Sequence, residues 1–530
     1  MLLPIALSIA SGLLLAVAFP QGPPLWPWQT DGWWPAGWLC LVPLMLAAAR
    51  ARRARHAAGL GLLAGAVAYA AILCWIDPFL IQWARLSRLE AAGVSGLLIL
   101  YVASYPGLFA ACLCLWSRRF GPVRAYLLAP ACWTALELAR GNLMTGFPWC
   151  LLGYSQMPVR AAIQVADLAG IYGVSFLLAS CSAAVACLFE TFRGGAGARR
   201  GAPTATVAAA ALAAVVLAGL GYGAWRLARE PAVSLDLPVA LVQANVAQTD
   251  KWDPRETTRI EEDHIRMTRE AAASGARLVV WSESSVPISI THHPDYERRL
   301  EALADATQVD LLAGTVTYER TGGTERPLNS AVLVRPGAGV VGRYDKLHLV
   351  PFGEYVPLAR LLFFVAPLVA EAGDFLPGRD IALLRGSGPS LGPLICYEAI
   401  FPDITRRHVR AGAQMLVNIT NDAWYGDTAM PRQHLMQAAL RAVESRRWLL
   451  RCANTGISAV VDPSGRIVAR SRFNTPEVLA ARVAPASAAA GATIYAAAGD
   501  VFAIGCAILA TAALVAALLS RPARDASDAF

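Results

Sequence analysis

Eight apolar stretches, most of them close to the length that crosses a lipid bilayer, split this 530-residue chain into a part suited to a membrane and a part suited to water. A spanning helix needs about 20 predominantly apolar residues. Seven such stretches precede residue 226, at about 2–19, 33–49, 57–76, 91–116, 123–138, 168–189 and 204–225, and an eighth lies at about 498–519. The fifth is short and interrupted by Pro130. Residues 1–225 hold six acidic side chains (Asp31, Asp77, Glu90, Glu137, Asp167 and Glu190), and the other 32 lie beyond. Hydrophobic residues make up 56% and charged residues 16%, against about 25% charged in an ordinary soluble protein. This excludes disorder, which needs low hydrophobicity and high charge.

Loop arginines set the expected orientation, because positive charge collects on the cytoplasmic side. Arg50, Arg52, Arg53 and Arg55 follow the second stretch, and Arg118, Arg119 and Arg124 follow the fourth. Arg193, Arg199 and Arg200 follow the sixth, and Arg521 and Arg524 the eighth, while the alternate loops are poorer. Both termini are therefore expected in the cytoplasm, with 226–497 on the opposite side. The net charge of +8 is then mostly positive-inside arginine, and no nucleic-acid partner is needed to explain it. Ala16-Val17-Ala18 resembles a leader cleavage site, but no basic segment precedes the stretch and further spans follow, so an anchor is expected. Eleven of 15 tryptophans fall in the first 225 residues, and Trp26, Trp28, Trp33 and Trp34 read as an interfacial belt. Glu137 and Arg140, near the end of the fifth stretch, read either as a lipid-headgroup contact or as charges placed at a helix end.

Eight of the 11 cysteines (Cys40, Cys74, Cys112, Cys114, Cys132, Cys181, Cys187 and Cys506) lie in these stretches, where cysteine acts as a small apolar residue. Cys150 borders one, and Cys396 and Cys452 lie in the outward segment. With no CxxC and no paired spacing, neither a disulfide scaffold nor a zinc site is expected. No cofactor is implied.

The outward segment alternates strand and helix patterns. LPVALVQANV (237–246), RLVVWSE (277–283), DLLAGTVTYE, NSAVLVRP, LGPLICYEAI (391–400) and MLVNITND (415–422) read as strands. Helices are expected from Asp253-Pro254 to Gly275, from Pro294 to about 308, from Asp403 to about Ala411 and near 433–450, with a hairpin around Asp462-Pro463-Ser464-Gly465. This pattern implies a layered α/β sandwich, with linkers at about 226–236 and 481–497. LARLLFFVAPLVA (358–370) is too apolar for an ordinary loop and too short to span. It reads as a buried helix or as a loop dipping into the outer leaflet that could cover the site.

Reactive groups in α/β folds sit beyond the carboxyl ends of strands. Glu283 ends WSE, Lys346 lies in GRYDKLHLVPFGEYVP and Cys396 ends LIC. A cysteine attacks acyl groups once a base deprotonates it, a carboxylate raised toward neutrality by burial can be that base, and a lysine can hold an oxyanion. Lys346 is one of two lysines, with Lys251, among 46 basic residues. In so arginine-rich a chain a retained lysine points to a compact ammonium that a planar guanidinium cannot replace. Taken singly, each residue also has a bland reading as core, solvated or surface side chain.

Together WSESSVP, GRYDKLHLVPFGEYVP and LICYEAIFPD resemble the Glu, Lys and Cys motifs of the nitrilase superfamily. TGFPW (Thr145 to Trp149), QANVAQTDKWDP (Gln243 to Pro254), NITNDAWYG (Asn418 to Gly426) and the QHL…R…E helix (Gln433 to Glu444) resemble its membrane-embedded branch, the apolipoprotein N-acyltransferases. The resemblance covers nearly the whole chain, although the AWYG and RCANTG segments depart from the expected pattern. It implies a bundle of about eight membrane helices, seven within 1–225 and the eighth at 498–519, plus a nitrilase-like αββα sandwich at 232–490 facing the periplasm of an inner-membrane protein. It further implies that Cys396 carries an acyl group as a thioester, with Glu283 as base and Lys346 on the oxyanion. Glu354 matches a second essential glutamate, Tyr397 and Glu398 follow the nucleophile as in relatives, and Trp252 matches a tryptophan lining the substrate portal. Cys452 is left as a structural cysteine.

The implied donor is a membrane phospholipid and the implied acceptor a diacylglyceryl-modified apolipoprotein, handled by a monomer in the bilayer. Both substrates are lipids, and extracting them would cost a soluble enzyme about 0.8 kcal/mol per methylene. Two other readings stand beside this one: a membrane-tethered amidase or nitrilase using water, and a transporter or receptor whose outward domain binds ligand. The second lacks the paired, broken, polar spans expected of it.

Overall fold

The computed structural model describes residues 2–192, 198–230, 236–321, 323–351, 353–355, 375–487 and 489–520. The 358–370 stretch lies outside the described residues. The chain divides into two units: Met1–Asp77 with Ser87–Arg229 and Asp500–Phe530, and Pro78–Leu86 with Glu230–Gly499.

The first unit is helical. Five helices have the length and apolarity to cross a membrane: Ala54–Ile72, Arg88–Phe120, Ala166–Phe192, Pro203–Ala228 and Val501–Leu519. The first apolar stretch forms a helix of 16 residues, Leu2–Val17. The second is split between Pro35–Leu39 and Val42–Ala49. The fifth is one helix, Pro122–Asn142, that runs through Pro130 rather than stopping there, as neighbouring helices allow in apolar bundles. Arg124, Glu137 and Arg140 make it more polar than the five.

Small residues let two of these helices approach closely. A Cβ on Gly61 would lie 2.1 Å from the Pro106 carbonyl oxygen, and one on Gly65 would lie 2.7 Å from the Ala103 Cα. The four-residue spacing of Gly61 and Gly65 puts both on one helix face, the small-xxx-small arrangement that brings apolar helices together. Glu137 and Arg140 are both buried and bind the chain that follows their helix. Glu137 Oε1 accepts from Trp133 Nε1 at 3.0 Å and from the Leu152 amide at 2.7 Å. Arg140 donates to the Tyr69 hydroxyl and, at 3.3 Å, to the Trp149 carbonyl, while its own carbonyl accepts from the Phe147 amide at 2.8 Å. Of the two readings for this pair, these contacts favour a helix end folded onto the TGFPW loop.

The second unit is a sandwich of two six-stranded sheets. One has the order β12-β1-β2-β3-β4-β5, the other β11-β10-β9-β8-β7-β6. The strands are β1 (Leu237–Gln243), β2 (Leu278–Trp281), β3 (Asp310–Thr321), β4 (Thr324–Arg335), β5 (Gly339–Asp345), β6 (Leu384–Arg385), β7 (Ser390–Ile395), β8 (Met415–Thr420), β9 (Leu449–Ala453), β10 (Ala459–Val461), β11 (Ile467–Arg470) and β12 (Glu477–Val483). Side chains alternate faces along a strand, and the core follows that rule. Val239 and Leu241 of β1 join Met415, Val417 and Ile419 of β8 between the sheets. Ala240 and Val242 face outward, onto Ile260 and Met267 of helix Thr257–Ala273 and Leu300 and Leu303 of helix Pro294–Thr307. Helices Pro402–Arg410 and Met430–Ser445 pack on the second sheet. The result is the αββα sandwich that the sequence implied.

Three local expectations need correction. LGPLICYEAI is not strand throughout: β7 stops at Ile395 and a 3-10 turn runs from Cys396 to Ile400. The 226–236 linker starts late, since helix Ala198–Ala228 takes its first residues. The 481–497 linker is structured at both ends. β12 pairs antiparallel with β1 from Leu237↔Val483 to Gln243↔Glu477, and helix Ile494–Ala498 is held where Arg410 Nε donates to the Ala496 carbonyl at 2.7 Å. Alanine-rich sequence hid both elements, because small side chains give little hydrophobic periodicity. Pro78–Leu86, between two of the apolar helices in sequence, packs within this second unit. There Trp83 Nε1 donates to the Trp424 carbonyl at 2.8 Å and Phe79 stacks on Tyr425 at 5.2 Å.

Candidate active site

β1, β2 and β3 run parallel, as do β7, β8 and β9. Residues beyond their carboxyl ends therefore gather at one edge of each sheet. Glu283 follows β2, Cys396 follows β7, and Asn421 follows β8. Lys346 follows β5, and its amide donates to the Asn329 carbonyl of β4 at 2.8 Å.

The structure brings Glu283, Lys346, Cys396 and Glu354 together. Lys346 Nζ donates to Glu354 Oε1 at 3.0 Å and to Glu283 Oε1 at 3.4 Å. Asn329 Nδ2 donates to the same two oxygens, at 2.7 Å for Glu283 and 3.1 Å for Glu354. The Asn421 amide donates to Glu283 Oε2 at 2.8 Å, and the Val350 amide to Glu354 Oε2 at 2.8 Å. Each carboxylate thus has a donor on each oxygen. Burial works against ionised Glu283, but the Lys346 charge, the Asn329 hydrogen bond and the Lys251 charge outweigh it and hold the carboxyl below its ordinary range. Burial by itself would raise this group toward neutrality, the condition the sequence suggests for a base. The buried donors reverse that sign. Burial would also strip the proton from Lys346, yet Glu354 and Glu283 hold it above the usual lysine value.

Cys396 opens the 3-10 turn with φ +53, a left-handed conformation that costs a non-glycine residue about 1–3 kcal/mol and persists where surroundings enforce it. Here its carbonyl accepts from His434 Nε2 at 3.2 Å and Asn418 Nδ2 at 3.4 Å. Burial and the Glu283 charge push the thiol up, with Lys346 opposing. The resting pair is therefore carboxylate and thiol.

Glu398, expected beside the nucleophile, anchors the site's main chain instead. Its Oε1 accepts from the Tyr344 hydroxyl at 2.8 Å and the Leu347 and His348 amides at 2.6 and 3.2 Å, and its Oε2 from the Ile395 amide at 2.7 Å. This one side chain ties the segment after Lys346 to the turn bearing Cys396. Burial pushes its carboxyl up to about 7, against the pull of those donors. Tyr397 packs its ring on Phe401 at 5.1 Å and near His348 at 5.9 Å. Trp252 is half exposed and outside the hydrogen-bonded cluster. Cys452 lies buried between the sheets, as expected of a structural cysteine.

Sequence reasoning left several site residues without a role. Asn329 carried no signal, standing beside Ser330 where the polar half of β4 meets its apolar run. The NITND and QHL motifs did carry one, and the structure joins them. Arg451 NH2 donates to Asp422 Oδ2 at 2.8 Å and to His434 Nδ1 at 3.2 Å, and Thr420 Oγ1 donates to Asp422 Oδ1 at 3.0 Å. Burial and the Arg451 charge lower the His434 pKa, so the neutral ring keeps its proton on Nε2 and donates it to the Cys396 carbonyl. Asp422 is held at about 2, the Arg451 charge overcoming its burial. Asp422→Ala would leave Arg451 buried without its carboxylate, a change that costs about 3–5 kcal/mol. Asp422 is ionised at every pH well above 2, so unfolding in detergent should show that deficit undiminished across the neutral range. A loss under about 1 kcal/mol would mean that Arg451 finds another partner. Among the described residues no group of three or more His, Cys, Asp or Glu side chains could hold a metal ion.

Two family models match the chain. Residues 11–184 fit the apolipoprotein N-acyltransferase N-terminal domain, and residues 238–492 fit carbon-nitrogen hydrolase. A relative from Geobacter metallireducens, named apolipoprotein N-acyltransferase, is 40% identical over 522 residues, 97% of this chain and 95% of the relative. One of the same name from Methylococcus capsulatus is 34% identical over 538 residues, covering 98% and 97%. Among solved structures, a variant of a nitrilase-superfamily amidase from Nesterenkonia AN1 is similar at 22% identity and a TM-score of 0.37, covering 48% of this chain and 92% of that one.

Proposed function

Because the chain belongs to the apolipoprotein N-acyltransferase family, we propose that it moves an acyl chain from a membrane phospholipid to the α-amine of a diacylglyceryl-cysteine at the N-terminus of an apolipoprotein. The observation that carries this reading is the pairing of an ionised, buried Glu283 with the Cys396 thiol beside the Lys346 ammonium.

Glu283 takes the thiol proton as Cys396 Sγ bonds to the donor's ester carbonyl carbon. Because the resting thiol holds its proton, the transfer accompanies attack rather than preceding it. The carbonyl oxygen becomes an oxyanion beside Lys346. Collapse breaks the ester C–O bond, the proton on Glu283 passes to the departing alkoxide, and a lysophospholipid leaves a thioester on Cys396. The acceptor amine then attacks the thioester carbon. Its proton passes through Glu283 to the leaving thiolate, the C–S bond breaks, and an amide is released. Lys346 keeps its proton throughout because Glu354 and Glu283 raise its pKa. Exclusion of water protects the thioester between the two halves. Trp252 is assigned to contact with substrate and Tyr397 to the rim of the site. The arginine asymmetry favours both termini in the cytoplasm and 232–490 in the periplasm, with 1–225 and 498–519 in the bilayer; the family resemblance adds that the protein is an inner-membrane monomer.

The test is intact-protein mass after incubating detergent-purified protein with phospholipid and no acceptor. An adduct of one acyl chain, labile to hydroxylamine and absent from Cys396→Ala, is expected. A folded protein that forms no adduct with any bilayer phospholipid would overturn the donor assignment and favour water-using amidase chemistry.

A further inference from the structure

The arginine bias of this chain leaves two lysines, Lys251 and Lys346, and both close on the same glutamate. Lys346 reaches the Glu283 carboxylate. Lys251, from the short helix Gln248–Lys251, reaches the Glu283 main chain, its Nζ donating to the carbonyl oxygen at 2.9 Å. Lys251 is 1% exposed, and among the described residues no carboxylate lies within ion-pair distance of it. An ammonium buried this way is costly, and a neutral residue with one donor could have satisfied that carbonyl.

We propose that Lys251 is a positioning residue for the acyl-transfer step. It fixes the backbone of the residue bearing the base and adds a second positive charge that favours the ionised forms of Glu283 and Cys396. The inference rests on the catalytic reading of Glu283 and Cys396 above. The titratable groups facing Lys251 are Glu283 beyond β2, Cys396 beyond β7 and His264 on helix Thr257–Ala273. His264 is held neutral, at about 4, by burial and the Lys251 charge against the pull of the Ile260 carbonyl and Asp263, so the Glu283 carboxylate and the Cys396 thiol are left to respond to the lysine. Burial brings Lys251 down to about 8 against their pull, which leaves it mostly charged at neutral pH.

The same short helix carries this hold toward the substrate-facing side. Gln248 Oε1 accepts from Asn421 Nδ2 at 2.9 Å, and the Asn421 amide is itself a donor to Glu283. The next residue after Lys251 is the half-exposed Trp252. A displacement of Trp252 by bound substrate therefore has a short route to the base, through the peptide bond to Lys251 and the Lys251 hydrogen bond to the Glu283 carbonyl.

The experiment measures the pH dependence of Cys396 alkylation by iodoacetamide in the full-length, detergent-purified protein. Cys396→Ala supplies the background, and acyl-adduct formation with phospholipid is followed in parallel. Lys251→Met should slow Cys396 alkylation at pH 7, where Lys251 is charged, by about tenfold, the thiolate loss that one pH unit represents, and slow adduct formation by about ten- to a hundredfold. The gap from the parent should close as pH rises past about 8 and Lys251 loses its proton. Lys251→Gln keeps a donor for the Glu283 carbonyl without the charge, and serves if the methionine variant does not fold. It too should alkylate more slowly at pH 7. An unchanged alkylation rate at pH 7 in either folded variant would overturn the inference. Failure of the underlying reading would look different: Cys396→Ala, with Lys251 intact, would still transfer acyl chains.

Discussion

Glu283→Gln is expected to slow formation of the acyl-enzyme by about a thousandfold while leaving the protein folded, within the usual range for loss of a general base. The replacement has nearly the same shape, and Lys346 keeps Glu354 as its partner at 3.0 Å. What changes is the match of donors to acceptors. Glu283 accepts from Asn329, Lys346 and the Asn421 amide, with donors at both oxygens. A glutamine can accept at one end only, so its NH2 must face either Asn421 or the Asn329 and Lys346 pair. More importantly, no carboxylate remains at that position to take a thiol proton that burial holds tightly. The measurement is the rate of adduct appearance by mass after mixing with phospholipid. A rate within about tenfold of the parent would remove Glu283 from the role of base.

Lys346→Met should reduce transfer by about a hundred- to a thousandfold, as loss of an oxyanion donor does, and should also destabilise the fold. Lys346 is 1% exposed between the buried Glu283 carboxylate and the partly buried Glu354 carboxylate. Removing one partner of a buried charged group typically costs about 3–5 kcal/mol. The sign of the pH dependence follows from the geometry. Without the ammonium, burial raises the pKa of Glu283, so the variant loses stability as pH rises through that raised value and recovers it on acidification. In the parent, Lys346 has a raised pKa, so its contribution is complete below the ordinary lysine value and is lost only at alkaline pH. Thermal unfolding in detergent should therefore show a large deficit at neutral pH that shrinks in mild acid. A deficit independent of pH would mean that the carboxylates are not what the lysine stabilises. Lys346→Arg tests shape: a planar guanidinium retains charge but cannot occupy the place of a compact ammonium between two carboxylates, and transfer should remain low.

How far the site was legible depended on what each residue leaves in the sequence. Glu283, Lys346 and Cys396 lie at strand ends within distinctive flanks, and all three lie in one site. Glu354 was found by its motif, yet its function as the second carboxylate on Lys346 needed coordinates. Glu398 also lay in a motif, but its hydrogen bonds run to Leu347, His348 and Ile395 amides that no pattern pairs with it. Asn329 and Lys251 act through contacts 46 and 32 residues away in sequence. The rarity of lysine pointed to Lys346, and the structure showed the other lysine, Lys251, closing on the same glutamate.

By itself the sequence determined the division into apolar helices and an α/β unit, the alternation that makes two packed sheets, and the strand-end addresses of the reactive groups. These follow from local hydrophobic period and composition, which each segment carries whatever its neighbours do. The tertiary structure decided what is set by long-range pairing. It made β12 a partner of β1 where alanine-rich sequence read as linker, and carried helix Pro122–Asn142 through Pro130. It also placed Cys396 in a left-handed turn instead of a strand and reversed the expected sign of the Glu283 pKa. Burial, charge and donor geometry around one carboxylate come from several separate segments, and their balance exists only once the sheets and loops have brought those segments together.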